Sequence, residues 1–402
     1  MRKSSRGSVR PHGSSGSGRR RGTAKRIVLL TTLHLRESPV HSVWYSMRNL
    51  ARGYRQRGYD VLMAAQKGPH VPLSTNAPEK SEMPLLEAGG GFRTPSMLRA
   101  VVFFSQILRF KKSDLFHLYL ITAADKFLYA VWLALKIKRI PFGIYFQGGP
   151  LPQGRFVDKL LLPIFLRDAA WVAAPTVWAK TTLERGMPSL INRIYVVREA
   201  SPWEDSPVSH IAETEDAAPY VLFLGRQVHC RGSDLLVMAW SELCRRVPDV
   251  QLWFVGPEGH LSGHTRYLAE RLGLLNRIRF LGERPRREIP ELIRRSLCLV
   301  LPARHSISGT VVLEAMSLGK AVVASQRAAS DFIEEGKTGL FAEPLNVKNL
   351  SDTISSLLMD PEKRLALGSR ARHAILKSAR SWRWEHAALR YLELFRDPAD
   401  LK

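Results

Sequence analysis

Short apolar runs alternate with longer amphipathic stretches along most of the chain. Residues 27–30 (IVLL) read as a buried strand, 43–57 as a helix ended by Gly58, and 59–65 (YDVLMAA) as a second strand. An apolar run of four to seven residues has the length of a strand covered on both faces, whereas a helix needs ten or more residues at the longer period. The alternation continues with an apolar helix over 98–110, a strand over 114–120, a helix over 123–138 and a strand over 141–146. That last strand runs into the turn Gln147-Gly148-Gly149-Pro150, and 171–174 and 194–197 read as further short strands. Strand–helix–strand order predicts a parallel sheet with right-handed crossovers.

Residues 199–219 interrupt the pattern with acids and prolines and few large apolar side chains, which predicts a linker. A second alternation follows. Residues 220–225 (YVLFLG), 251–256 (QLWFVG), 278–282 (IRFLG), 297–302 (LCLVLP) and 321–324 (AVVA) read as strands, with helices over 234–247 and 310–318. The prediction is an α/β chain of two doubly wound, Rossmann-like domains facing a cleft, with ligand at the carboxyl ends of the strands. Its parts are a disordered basic tail (1–26), an N-terminal domain (27–198), the linker, a C-terminal domain (220–380) and a final helix (381–402).

Composition changes the picture mainly through charge. With 402 residues, 45% hydrophobic and 24% charged, the chain is ordinary globular protein, and wholesale disorder or a collagen-like repeat is excluded. Three cysteines without a CxxC pair point to a reducing compartment and against a zinc ribbon. Net charge is +24, which suggests a polyanionic partner: nucleic acid, an anionic membrane or a phosphorylated substrate. Residues 1–26 hold nine Lys/Arg and no acid; 27–198 hold 23 basic and 10 acidic residues; 199–402 hold 28 and 26. The excess therefore belongs to the tail and the N-terminal half. No apolar run has the length of a membrane span or a secretory signal, which predicts a cytoplasmic location.

Candidate chemistry concentrates in 301–325 (LPARHSISGTVVLEAMSLGKAVVAS), a strand, a loop, a helix start, a glycine stop and a strand. Ser308 suits an N-cap, and Gly309 lets a ligand approach the backbone. The open N–H groups of Thr310 and Val311 at the positive end of the helix make an anion site. Glu314, one turn in, can accept bonds from vicinal hydroxyls of a ribose or sugar. An apolar core helix with a surface glutamate fits the same residues. Arg226 and Arg231 follow the 220–225 strand; they read either as a clamp on a diphosphate or as solvated surface arginines.

The second half resembles retaining glycosyltransferases of family 4, which have the two-domain GT-B fold. The stretches that carry the resemblance are FLGRQVHCRGSDLLVMAW, VQLWFVGPEG, RIRFLGE, SGTVVLEAMSLGKAVVAS, EEGKTGLFAEPLN and the terminal SWRWEHAALRYLELF. The resemblance implies that Arg226 and Arg231 contact the donor diphosphate and that Glu314 holds the nucleotide ribose. It also implies that the 308–311 backbone meets phosphate and sugar, with Gly225 and Gly282 among the donor-binding positions. The final helix, with Trp382 and Trp384, is expected to return to the N-terminal domain.

Two positions depart from the family. Ser306 stands eight residues before Glu314, where the family has a first glutamate that grips the donor sugar. Gln147, followed by Gly148, stands on the acceptor side where a histidine is common. The resemblance implies a metal-independent transfer with no cofactor beyond a UDP- or GDP-linked sugar donor, and no Asp-x-Asp motif occurs. The leading expectation is a retaining transferase that moves a sugar to a glycan or glycolipid acceptor in cell-surface polysaccharide or glycolipid synthesis. A catalytically degenerate GT-B partner protein is the second. A nucleic-acid binder, suggested by charge, lacks any accompanying motif. The basic tail and N-terminal half instead suit peripheral attachment to the inner face of the membrane.

Overall fold

The structure, a computed structural model, describes residues 26–34, 42–66, 85–88, 104–120, 126–146, 156–200, 218–305, 309–378 and 383–396. The expectations for the tail, most of the linker, Gln147, Gly148, Ser306, Ser308 and Trp382 lie outside the described residues.

Two parallel sheets organise the chain. The first contains β1 (Arg26–His34), β2 (Asp60–Gln66), β3 (Leu85–Ala88), β4 (Leu115–Leu120), β5 (Phe142–Phe146), β6 (Trp171–Ala174) and β7 (Ile194–Val196), in the order β3-β2-β1-β4-β5-β6-β7. The second contains β8 (Tyr220–Leu224), β9 (Gln251–Val255), β10 (Ile278–Gly282), β11 (Cys298–Leu301), β12 (Ala321–Ser325) and β13 (Leu340–Ala342), in the order β10-β9-β8-β11-β12-β13. Helices cover both faces of each sheet, so all five residues of β5 and of β8 are buried. This is the reason the strands read as unbroken apolar runs rather than alternations. In each sheet the strand order reverses beside the first strand, at β1/β4 and at β8/β11, and ligand crevices of open α/β sheets form at such points.

One expected element is described only in part. Of the helix expected over 98–110, only 104–107 is helical among the described residues, and the backbone passes through turns to Phe110. The Asp114 carboxylate accepts the Lys111 N–H at 2.8 Å while the Asp114 N–H donates to the Lys111 carbonyl at 3.0 Å. This local pairing holds the turn that leads into β4.

Helix Trp384–Arg396 lies against helix Ser42–Arg55 of the N-terminal domain. Ala387, Ala388, Tyr391, Leu392 and Leu394 share a core with Met47, Leu50, Ala51 and Tyr54. Gly53 makes the crossing possible, because a Cβ there would stand 2.8 Å from the Ala388 Cβ. Between the domains, the Asp331 carboxylate, 2% exposed, accepts from the Val177 N–H at 3.0 Å and from Arg198 at 3.3 Å. Val177 opens helix Val177–Gly186, so a C-terminal-domain carboxylate sits at the positive end of an N-terminal-domain helix.

Leu345, 59% exposed, holds φ at +63° in the turn between β13 and helix Val347–Leu358. A left-handed Cβ costs roughly 1–2 kcal/mol, and asparagine tolerates the region better. Leu345→Asn is expected to gain about 0.5–1 kcal/mol, a Tm rise of about 1–4 °C by calorimetry.

Candidate active site

The carboxyl ends of β8, β9 and β10 each close on a glycine with positive φ: Gly225, Gly256 and Gly282. The Gly225 N–H donates to the Val255 carbonyl at 2.8 Å and the Gly256 N–H to the Gly282 carbonyl at 2.9 Å, so the three strand ends form one floor. A Cβ on Gly225 would stand 2.5 Å from Arg231 Nη1; the guanidinium lies directly on this backbone. Burial lowers the pKa of Arg231, the neighbouring Arg226 lowers it further, and Glu314 opposes them. Arg226, Arg231 and Glu314 therefore share one electrostatic field, although β8 and the helix bearing Glu314 are far apart in sequence.

Across the β8/β11 switch point, helix Thr310–Ser317 starts on Gly309, whose φ of +67° and close approach to the Ala328 carbonyl exclude a side chain. The Val312 and Leu313 N–H groups both close on the Gly309 carbonyl, at 2.9 and 3.1 Å. Thr310 and Val311 thus form the first turn of the helix. Gly282 closes the far side, where a Cβ would meet nothing.

Glu314 corrects one of the two sequence readings. It is a buried residue, 3% exposed, and not a surface glutamate. Its Oε1 accepts from Arg286 Nη2 in a close ion pair, and its Oε2 is buried with no hydrogen-bond partner among the described residues. Arg226 and Arg231 are only partly exposed, against the solvated alternative.

Sequence reasoning missed Arg286. It opens the 3-10 turn Arg286–Glu288 beyond β10, and the Tyr45 ring of helix Ser42–Arg55 covers its guanidinium at 4.6 Å. The signal was present: Arg284, Arg286 and Arg287 follow a strand end, as Arg226 and Arg231 do. The buried pair beneath the crevice was missed too. Arg304 Nη1 and Nη2 donate to the two Asp234 oxygens at 2.7 Å each, and Nη1 also reaches the His229 carbonyl at 3.0 Å. The Arg304 N–H donates to the Cys230 carbonyl at 2.9 Å, which ties the segment after β11 to the loop that carries Arg231.

Two facing Rossmann-like domains with this crevice define a GT-B glycosyltransferase fold. Solved structures agree. Sucrose-phosphate synthase from Thermosynechococcus elongatus superposes with a TM-score of 0.74 at 18% identity, over 94% of this chain and all of that one. HepE of Anabaena, solved with UDP and glucose, gives 0.71 at 19% identity, over 92% and 99%. Residues 208–374 match the family described as glycosyl transferases group 1. The chain is 30% identical over 232 residues to D-inositol 3-phosphate glycosyltransferase of Corynebacterium urealyticum, covering 53% of each chain. It is 32% identical over 184 residues to the GDP-mannose-dependent alpha-(1-6)-phosphatidylinositol monomannoside mannosyltransferase of Mycolicibacterium smegmatis, covering 44% of this chain and 47% of that one. The chain thus spans about half the length of these curated relatives.

Proposed function

We propose that the chain is a retaining, family 4 glycosyltransferase. It takes a sugar from a nucleotide-diphosphate-sugar and gives it to a glycan or glycolipid acceptor at the N-terminal domain. The observation that carries this reading is Arg231 lying against Gly225 at the carboxyl end of β8, in the field of Arg226 and Glu314, with helix Thr310–Ser317 starting on Gly309 across the switch point. In the proposal, Arg231, held flat on Gly225, and Arg226 meet the diphosphate. The charge that develops on the leaving diphosphate is met by fixed cations and backbone N–H groups that need no reorganisation. Each such donor is worth about 3–4 kcal/mol in the transition state. Glu314 Oε2 accepts from the ribose. Names of relatives favour both GDP and UDP, so the donor test covers both.

The test is thermal stabilisation across UDP, GDP and their sugars, followed by donor turnover. A nucleotide at 100 times its Kd is expected to add about 2.7 kcal/mol. Glu314→Ala is expected to lower donor hydrolysis and transfer well below wild type. If no nucleotide stabilises the protein, the donor reading fails. If wild type and Glu314→Ala share one background rate, the chain is a non-catalytic GT-B partner, as Ser306 in the first glutamate position would suit.

Peripheral membrane attachment is the second part of the proposal. No helix among the described residues is long and apolar enough to cross a membrane. Helix Lys126–Lys138 instead exposes Leu133 and Ile137, its neighbour Phe156–Asp168 exposes Leu160, and Lys138 and Arg139 flank the patch. Exposed apolar side chains with cations beside them in the chain suit an anionic bilayer surface, where each nearby cation adds about 1 kcal/mol. Sedimentation with anionic liposomes is expected to fall with salt and on deletion of 1–26; insensitivity to both refutes attachment.

A further inference from the structure

We infer that the acceptor-side domain aims the donor-side carboxylate: Tyr45, acting through Arg286, is a positioning residue for Glu314. The inference rests on the donor reading above. Arg286 lies beyond β10 and Glu314 beyond β11, and β9 and β8 stand between these strands in the sheet. The Arg286 side chain therefore spans the strand ends where the arginine pair sits. It engages Glu314 Oε1 and leaves Oε2 buried and without a partner among the described residues. An ionised carboxylate only accepts. With one oxygen committed and the carboxylate plane fixed, the second is left without a partner among the described residues and suits a donor entering the crevice, such as a ribose hydroxyl.

Tyr45 completes the relay from the other domain. Its ring covers the Arg286 guanidinium at 4.6 Å and meets Trp384 edge-on, with centroids 6.4 Å apart and planes at 72°. Trp384 belongs to the terminal helix that packs on the N-terminal domain, so the ring is fixed from behind. Guanidinium stacking uses the aromatic face and not the hydroxyl. The contact between the domains thus sets the donor carboxylate.

The experiment is calorimetric titration of the full chain with UDP and GDP and with their 2′,3′-dideoxy analogues. A hydroxyl bonded to a charged acceptor is worth about tenfold or more in affinity, so wild type is expected to prefer the ribonucleotide by that factor. Tyr45→Phe keeps the ring and is expected to keep the preference. Tyr45→Ala and Arg286→Ala are expected to reduce it to within about threefold of unity, at unchanged diphosphate dependence. Arg286→Lys, with the charge but not the planar fork, restores part of it. A merely structural role would lower Tm and leave the ribose preference alone. Tyr45→Ala with the wild-type preference overturns the relay. Tighter nucleotide binding by Arg286→Ala also overturns it, since the arginine would then be an occupant that ligand displaces. Wild type without ribose preference, or without nucleotide binding, removes the donor reading and the relay together.

Discussion

Arg304→Ala is expected to lower the unfolding free energy by about 3 kcal/mol, because it strands a carboxylate in a nearly closed site. The side chains of Arg304 and Asp234 are 10% and 11% exposed, and both guanidinium nitrogens are used in the pair. Breaking a buried pair from one side usually costs about 3–5 kcal/mol. The low end applies here because the backbone N–H groups of Asp234 and Leu235 also hold the carboxylate, at the start of helix Ser233–Leu243. In Tm this is about 6–12 °C, measurable by calorimetry. Arg304→Lys should recover only part of the loss, since lysine cannot make the two-pronged contact. Adding Asp234→Asn to Arg304→Ala should restore more than it costs alone. A double-mutant cycle without coupling would dismiss the pair as a stabilising unit. The same change frees the 229–232 loop, so nucleotide affinity should fall along with stability.

The second large effect is a loss of stability in mild acid that originates at His117. This residue is fully buried, with Nδ1 sharing a 3.0 Å hydrogen bond with the Tyr54 hydroxyl and the ring packed on Trp171 and Tyr391. Burial disfavours the charged ring and pushes its pKa down to about 3. The unfolded chain binds this proton near pH 6.5, and the folded one does not until about 3. The folded pKa is depressed, so the contribution is intact above pH 6.5 and is lost as pH falls toward 3. The slope approaches 1.4 kcal/mol per pH unit, or about 2–3 kcal/mol between pH 6.5 and 4.5. Asp234 also loses stabilisation on acidification, since Arg304 outweighs burial and lowers its pKa, but that loss begins near the ordinary carboxylate range. A series from pH 7 to 4.5 lies above that range, but His305, whose pKa burial also lowers, titrates within it, so the share of His117 is read from a variant. His117→Phe should be less stable at pH 7, where the Tyr54 hydroxyl loses its partner, yet flatter across the series. A variant slope equal to that of wild type would rule His117 out. Because Tyr391 belongs to the terminal helix, detachment of that helix should follow the same pH course.

Much of the fold was legible because parallel strands covered on both faces must be apolar throughout. YVLFL and FGIYF could hardly be anything else, and Gly58 and Gly319 marked helix ends. Less was legible where an element has a polar face or few residues. Strands β3 and β13 have four and three residues, and helix Pro361–Lys377 is amphipathic with Arg and Lys along it.

For the crevice, residue type and spacing were enough to nominate Arg226, Arg231, Gly309 and Glu314, since a strand end followed by glycine and a helix start is a local arrangement. The sequence by itself thus determined two Rossmann-like alternations, the positions of their strand ends and the local chemistry beside each. Tertiary structure alone decided which of these ends meet. Arg286 and Glu314 are joined only because β10 and β11 flank β9 and β8 in the sheet, and Tyr45 reaches Arg286 only because the two domains face each other. The burial of Glu314, the shared field of the two arginines and the closed Arg304–Asp234 pair are likewise properties of packing. They depend on what excludes water from a group, and that is set by residues far away in the chain.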